Sequence, residues 1–230
     1  MDLLNLFYHD QNIQKLNNAI IKKSAKNIYL KNLHGSQASI IASHLINKKT
    51  PNLFILNSLE DALYFLDDIH HLNKKLSIHL FPSSERINIG DNSVLIERIN
   101  VLEKLSAQND VSVVTYPKAI FEEVITKENF QKKKIKLKKG DVVDQDYLCQ
   151  KLNEYGFQMT DFVLQPGDFS IRGNIIDVFS YGSEMPYRIV LDNDNIDEIN
   201  LFEISSQLSK KNINNVNIIS NIESQSHKSI

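Results

Sequence analysis

The hydrophobic period of this chain changes once, near Pro117, and that change limits the folds open to it. Upstream, short apolar runs alternate with stretches whose apolar residues recur at helical spacing. Ile28-Tyr29-Leu30 reads as a first strand, and Leu53-Phe54-Ile55-Leu56 as a second, buried one opened by Pro51. Ser77-Ile78-His79-Leu80-Phe81 reads as a third, stopped by Pro82, and Val111-Ser112-Val113-Val114-Thr115 as a fourth. Between them lie three helical stripes: Ala38, Ile41, Ala42 and Leu45; Leu59, Ala62, Leu63, Leu66 and Ile69; and Leu95, Ile99, Leu102 and Leu105. Ser58 is placed to cap the second of these helices. Strands alternating with helices at this spacing predict a parallel sheet with helices packed on it.

Downstream the period falls to two. Lys134-Ile135-Lys136-Leu137-Lys138 reads as a strand with one wet face, and Gly140-Asp141 turns the chain. Asp144 or Asp146 caps a helix holding Tyr147, Leu148, Leu152 and Tyr155, with Gly156 placed as its C′ residue. Only strands follow. Gln165-Pro166-Gly167-Asp168 has Pro and Gly where a type II turn requires them. Phe169 to Arg172 returns, and Gly173 marks a bulge or a close backbone approach. Ile175 to Phe179 is apolar on both faces apart from Asp177, as a central strand would be. Tyr187–Leu191 and Ile196–Phe202 form a hairpin around Asp192-Asn193-Asp194-Asn195. The polar segment from Lys210 to Ile230 reads as a frayed tail or the start of a further domain. The fold class is therefore α/β, a parallel sheet with helices, joined to a small α+β domain rich in antiparallel strands.

Charge and composition exclude several function classes. With 26 basic and 28 acidic residues the net charge is −2, so a chain basic all over, as a nucleic-acid coat would be, is excluded. A single cysteine excludes a disulfide scaffold and fits a reducing cytoplasm. No apolar run approaches the roughly 18 residues of a membrane span. The first loop, His34-Gly35-Ser36-Gln37-Ala38-Ser39, lies where a phosphate loop would sit, but it has one glycine and no lysine. His70, His71 and His79 lack metal-ligand spacing, and Cys149 lies in an amphipathic helix with no histidine near it in sequence. The run Lys132-Lys133-Lys134-Ile135-Lys136-Leu137-Lys138-Lys139 has two readings, phosphate contact or protection of a sheet edge. It has no interleaved aromatics for base stacking. Arg172 and Arg188 both stand on strands beside inward-facing apolar residues. They read as interface arginines or as members of local surface salt bridges.

The block Gln165-Pro166-Gly167-Asp168-Phe169-Ser170-Ile171-Arg172-Gly173-Asn174-Ile175-Ile176-Asp177-Val178-Phe179, with Pro186-Tyr187-Arg188-Ile189 and Ile196-Asp197-Glu198-Ile199 after it, resembles a signature of two families. These are the bacterial transcription-repair coupling factors (Mfd) and the excinuclease B subunits (UvrB). Leu33-His34-Gly35-Ser36, Leu80-Phe81-Pro82-Ser83-Ser84-Glu85 and Val113-Val114-Thr115-Tyr116-Pro117-Lys118-Ala119 also resemble the coupling factors. The order and spacing match over residues 28–209. The lysine missing from the first loop sides with the coupling factors, whose loop is degenerate.

That resemblance implies a degenerate helicase-like (RecA-like) domain 1a over residues 1–118 and a domain 2 over 119–209 that binds the excinuclease A subunit (UvrA). Residues 210–230 would begin domain 1b or fray. It implies an N-terminal fragment that is not itself an enzyme and has no cofactor. ATP and Mg²⁺ would be needed only by motor domains outside it, and RNA polymerase and DNA would be reached through regions outside it. The alternatives are an ATP-dependent excinuclease B-type enzyme and a DNA-binding module using the 132–139 lysines. The family's partner-binding arginines correspond to Arg172 and Arg188. A family aromatic after the second arginine is absent here: Asp192 takes its place, and Leu191 is expected to replace part of the apolar contact.

Overall fold

The computed structural model describes residues 7, 10–22, 26–46, 50–86, 93–108 and 110–222. The chain divides into two compact units, Met1–Pro82 with Lys104–Phe121, and Ser83–Glu103 with Glu122–Ile230.

In the first unit, α1 (Gln11–Ile21) is capped by the Asp10 carboxylate, which accepts from the backbone N–H groups of Asn12 and Ile13. There follow α2 (Gln37–Ile46), β1 (Asn52–Ile55), α3 (Leu59–Leu72), β2 (Ile78–Leu80) and α4 (Ser93–Ala107), of which residues 104–107 fall in this unit. Then come β3 (Ser112–Thr115) and the one-turn α5 (Pro117–Ile120). The sheet is parallel, in the order β1-β3-β2. β3 lies in its middle with all four residues buried.

Three expectations change here. Ile28–Leu30 is not a strand: it is irregular, with Tyr29 81% exposed and no strand partner among the described residues. β1 is not fully buried. It lies at a sheet edge among the described residues, so Leu53 and Ile55 remain exposed while Phe54 packs against Phe65. The buried stripe of α3 is Ala62, Phe65 and Ile69, with Leu63 exposed. Ser58 does cap this helix, accepting from the Asp61 N–H at 3.1 Å.

The second unit holds α6 (Lys127–Lys132), β4 (Lys134–Lys138), α7 (Gln145–Glu154), β5 (Gln158–Met159), β6 (Asp168–Arg172), β7 (Ile175–Val178), β8 (Tyr187–Asp192), β9 (Asn195–Phe202), β10 (Ser209–Ile213) and β11 (Asn215–Ile219). Six strands form one sheet, β10-β9-β8-β7-β6-β5, antiparallel except for β5 with β6. β4 and β11 form a separate antiparallel pair. β7 is central and β8–β9 is a hairpin around Asn193-Asp194, both as the sequence predicts. Asp144, not Asp146, caps α7.

One face of the large sheet is the core. Ile171, Ile176, Ile189 and Ile199 stand opposite one another across four strands. They pack with Leu148 and Leu152 of α7, Leu137 of β4, and Val216 and Ile218 of β11. Leu95 and Ile99 of α4 belong to the same core, with Leu102 packed against it. The apolar face of a helix that the sequence reading gives to the first module thus serves the second. Residues 209–219, read from composition as a frayed tail or a new start, are two strands: β10, exposed at four of its five residues, pairs with β9, and β11 pairs with β4 and turns Val216 and Ile218 inward at a two-residue period. Residues 223–230 of that tail lie outside the described residues. Gly173 is not at a bulge. It opens a two-residue hairpin turn with Asn174 between Arg172 and Ile175.

The Pro-Gly turn sets the start of β6. The Asp168 N–H donates to the Gln165 carbonyl at 3.1 Å, closing the turn. The buried Asp168 carboxylate accepts from the N–H groups of Leu164 and Gln165. Gly167 has φ +97°, and a Cβ there would come within 2.2 Å of the Tyr181 hydroxyl. Gly167→Ala therefore combines left-handed backbone strain with overpacking. It should lower stability by about 2–4 kcal/mol in denaturant melts followed by circular dichroism.

In the first unit, His79 on β2 is half-buried and its ring nitrogens lie 3.2 and 3.5 Å from Lys104 Nζ. Burial, then the charges of Lys104 and His70, hold it below its ordinary value of 6.5. The unfolded chain therefore takes up this proton first, so the His79 contribution is fully present above pH 6.5 and is lost as pH falls through the folded midpoint. An NMR titration should place that midpoint below 6.5, and His79→Gln should flatten the fall in melting temperature between pH 7.5 and 5.5.

Candidate protein-interaction site

The register of the large sheet sets a row of polar residues on the face opposite the main core. Ser170 stands opposite Asp177, Asp177 opposite Arg188, Arg188 opposite Asn200, and Asn200 opposite Asn212. Residues two apart on a strand share a face, so Arg172 joins this side from β6 and Phe202 from β9. The two arginines singled out in the sequence are therefore brought together, 16 residues apart in the chain but converging on one side chain.

That side chain is Asp177, whose side chain is 0% exposed. Arg188 grips it as a fork: Nε donates to Oδ1 and Nη2 to Oδ2, each at 2.8 Å. Arg172 Nη2 donates to Oδ2 at 2.5 Å. Bidentate, charge-assisted bonds of this kind fix orientation as well as energy. The third arm of Arg188, Nη1, donates to the Gln207 carbonyl at 2.9 Å. Its guanidinium carbon lies 4.5 Å from the centroid of the buried Phe202 ring. Hydrogen bonding to Asp177, reinforced by its charge, pushes Arg188 still further above its ordinary basic range. The Arg172 guanidinium faces the Phe162 ring at 5.1 Å.

Two guanidiniums against one carboxylate give the three-residue cluster one net positive charge, and Glu198, on the same face of β9, accepts from Asn200 at 3.1 Å beside it. The two arginines differ in access: the Arg172 side chain is 38% exposed and that of Arg188 only 16%. Arg172 presents charge to solvent, whereas Arg188 is largely built into the sheet.

Leu191 does not join them. Ile189 and Leu191 alternate inward on β8, and Leu191 is a core residue, 2% exposed. Arg188, Val190 and Asp192 take the other side of the strand, with Asp192 exposed. The apolar surface expected of Leu191 is thus absent from this face, for the simple reason of strand period. Asp177, which the sequence shows only as a polar break in an apolar strand, is the residue that organises the site. The signal was present: one carboxylate on a central strand, flanked in the hairpin register by two arginines.

The lysine run is less positive than its sequence suggests. Ile135 and Leu137 of β4 pack toward the core. Lys134 Nζ lies 3.1 Å from Glu103, Lys138 3.9 Å from Asp141, and Lys139 4.0 Å from Asp197. Burial pulls Lys133 below its ordinary value. In the first unit, Gly35 turns the loop into α2 with φ +54°. A groove of about 490 Å³ in this unit is lined by apolar side chains together with Asp10, Lys31 and the amides Asn12, Asn32 and Gln37. No group of three or more His, Cys, Asp or Glu side chains among the described residues is arranged to hold a metal ion.

Residues 135–223, the segment that holds the sheet bearing the arginine pair, match the family model of the UvrB interaction domain. Over most of its length the chain is similar to transcription-repair-coupling factors. It is 28% identical to that of Bacillus subtilis over 86% of this chain, 22% to that of Escherichia coli over 86%, and 32% to that of a Staphylococcus aureus strain over 74%. The matched segments make up 17%, 18% and 14% of those proteins, so the chain spans less than a fifth of the relatives it matches.

Removing Asp177 leaves two facing guanidiniums without their counter-charge. Breaking a buried pair in this way costs about 3–5 kcal/mol, the loss expected for Asp177→Ala in urea melts. Arg172→Ala, at the solvent side of the cluster, should cost only about 1 kcal/mol. Equal losses for the two variants would contradict the central role given to Asp177.

Proposed function

We propose that this chain is a recruiting module that binds the UvrA excinuclease subunit through the face carrying Arg172 and Arg188. In this reading it acts within a coupling factor that brings repair enzymes to RNA polymerase stalled at DNA damage. The observation that carries the reading is the Arg172–Asp177–Arg188 cluster set on a UvrB interaction domain. A preformed positive cluster offers acidic groups of a partner fixed donors at small ordering cost. The chain performs no catalysis of its own: the loop His34–Ser39 has no lysine to meet a nucleotide's phosphates. Nucleotide hydrolysis, polymerase binding and DNA translocation fall to parts of the coupling factor outside this chain.

Calorimetric titration of the chain with the UvrA subunit tests this reading. Wild type should bind with micromolar or tighter affinity. Arg172→Ala should weaken binding by about thirtyfold, equivalent to roughly 2 kcal/mol, and Arg172→Glu should weaken it further. Arg188→Ala should also lose binding, with its melting curve recorded because Arg188 is part of the sheet. A folded wild type that does not bind, or an Arg172→Glu variant that binds like wild type, would remove the assignment.

A further inference from the structure

We infer that Phe162 is the aromatic anchor of the UvrA contact, supplying the apolar component that β8 does not. This rests on the reading above and goes beyond it in naming the residue and the chemistry of the partner patch. Phe162 is 55% exposed and its ring faces the guanidinium of Arg172, the more accessible of the two arginines. Leu164, two residues on, is 62% exposed. Between them Val163 is fully buried in a small cluster with Phe179 and Phe202, the ring that backs Arg188. A continuous series of contacts thus runs from Phe162 through Arg172 and Asp177 to Arg188 and Phe202.

The loop holding Phe162 is also fixed. The Thr160 N–H donates to the Phe169 carbonyl at 2.8 Å, and the Thr160 hydroxyl donates to the Phe162 carbonyl at 3.0 Å. The N–H groups of Leu164 and Gln165 are held by Asp168. A large apolar side chain kept exposed on a loop pinned at both ends binds with little loss of conformational entropy. Aromatic and arginine side chains are the types that dominate interface energy, and here they are adjacent. The matching partner patch is an acidic group set beside an apolar side chain, so that the carboxylate meets Arg172 while the apolar group covers Phe162.

The test is calorimetric titration of the UvrA subunit, at several temperatures, with wild type, Phe162→Ala, Phe162→Tyr, Arg172→Ala and Tyr64→Ala. Tyr64 is an exposed aromatic of the first unit. Melting curves of each variant establish that it is folded. Phe162→Ala should bind about tenfold more weakly with a less negative heat-capacity change, the mark of lost apolar burial. Phe162→Tyr and Tyr64→Ala should bind like wild type. Unchanged affinity for Phe162→Ala alongside a loss for Arg172→Ala would overturn this inference and leave the recruiting role standing. Weaker binding with an unchanged heat capacity would also overturn it, since Phe162 would then act only by steadying Arg172. Self-association of the wild type that Phe162→Ala abolishes would assign the patch to a second copy of the chain and overturn it too. A folded wild type that does not bind UvrA removes the recruiting role, and this inference with it.

Discussion

A single buried carboxylate holds the arginine-bearing face of the large sheet in its form. Asp177 stands on one of the two central strands of a six-stranded sheet, on the side away from the main core, with no exposed surface of its own. Removing its charge from water carries a desolvation cost of several kcal/mol that only well-aligned donors offset. Three such donors come from Arg172 and Arg188. Well-packed apolar side chains in place of the carboxylate and both guanidiniums together would often give equal or greater stability. What the ionic arrangement adds is direction: each guanidinium plane is set by the carboxylate. The two arginines are therefore held as a fixed pair, not as two flexible side chains.

The same carboxylate divides the labour between the arginines. Arg188 spends its donors inside the molecule, two on Asp177 and one on the Gln207 carbonyl, and rests on Phe202. Arg172 commits one nitrogen to Asp177 and remains accessible. The first holds the carboxylate in place and the second displays charge. Substituting Arg188 disturbs the scaffold of the site, and substituting Arg172 disturbs the surface the scaffold supports.

Local chemistry made much of this legible in the sequence. Pro166-Gly167 gave the turn because its geometry admits few residues, and the hairpin around Asn193-Asp194 and the Ser58 and Asp144 caps followed from the same steric and hydrogen-bonding rules. Long-range choices were hidden. The stripe Leu95, Ile99 and Leu102 shows that a helix has an apolar face but not which core receives it. Ile28–Leu30 has strand composition but no strand partner among the described residues, and a strand without a ladder is not one. The 209–219 strands were masked by their asparagines and lysines: β10 is exposed at four of its five residues, and only β11 alternates, with Val216 and Ile218 inward. Leu191 followed from counting residues after Arg188, where the pleat of the strand had already turned it inward.

The departure at Asp192 is intelligible on these terms. Asp192 closes β8 at the hairpin tip, opposite Asn195, whereas the charge cluster is built four residues earlier, at the level of Asp177, Arg188 and Asn200. The cluster draws its other supports from β6, from Phe202 on β9 and from the loop beneath Phe162. None of these depends on the side chain at the tip. A change at position 192 therefore leaves the geometry of the arginine pair intact and alters only the apolar and electrostatic ground beside it. A surface organised from its buried centre can change at its margin and keep the geometry of that centre.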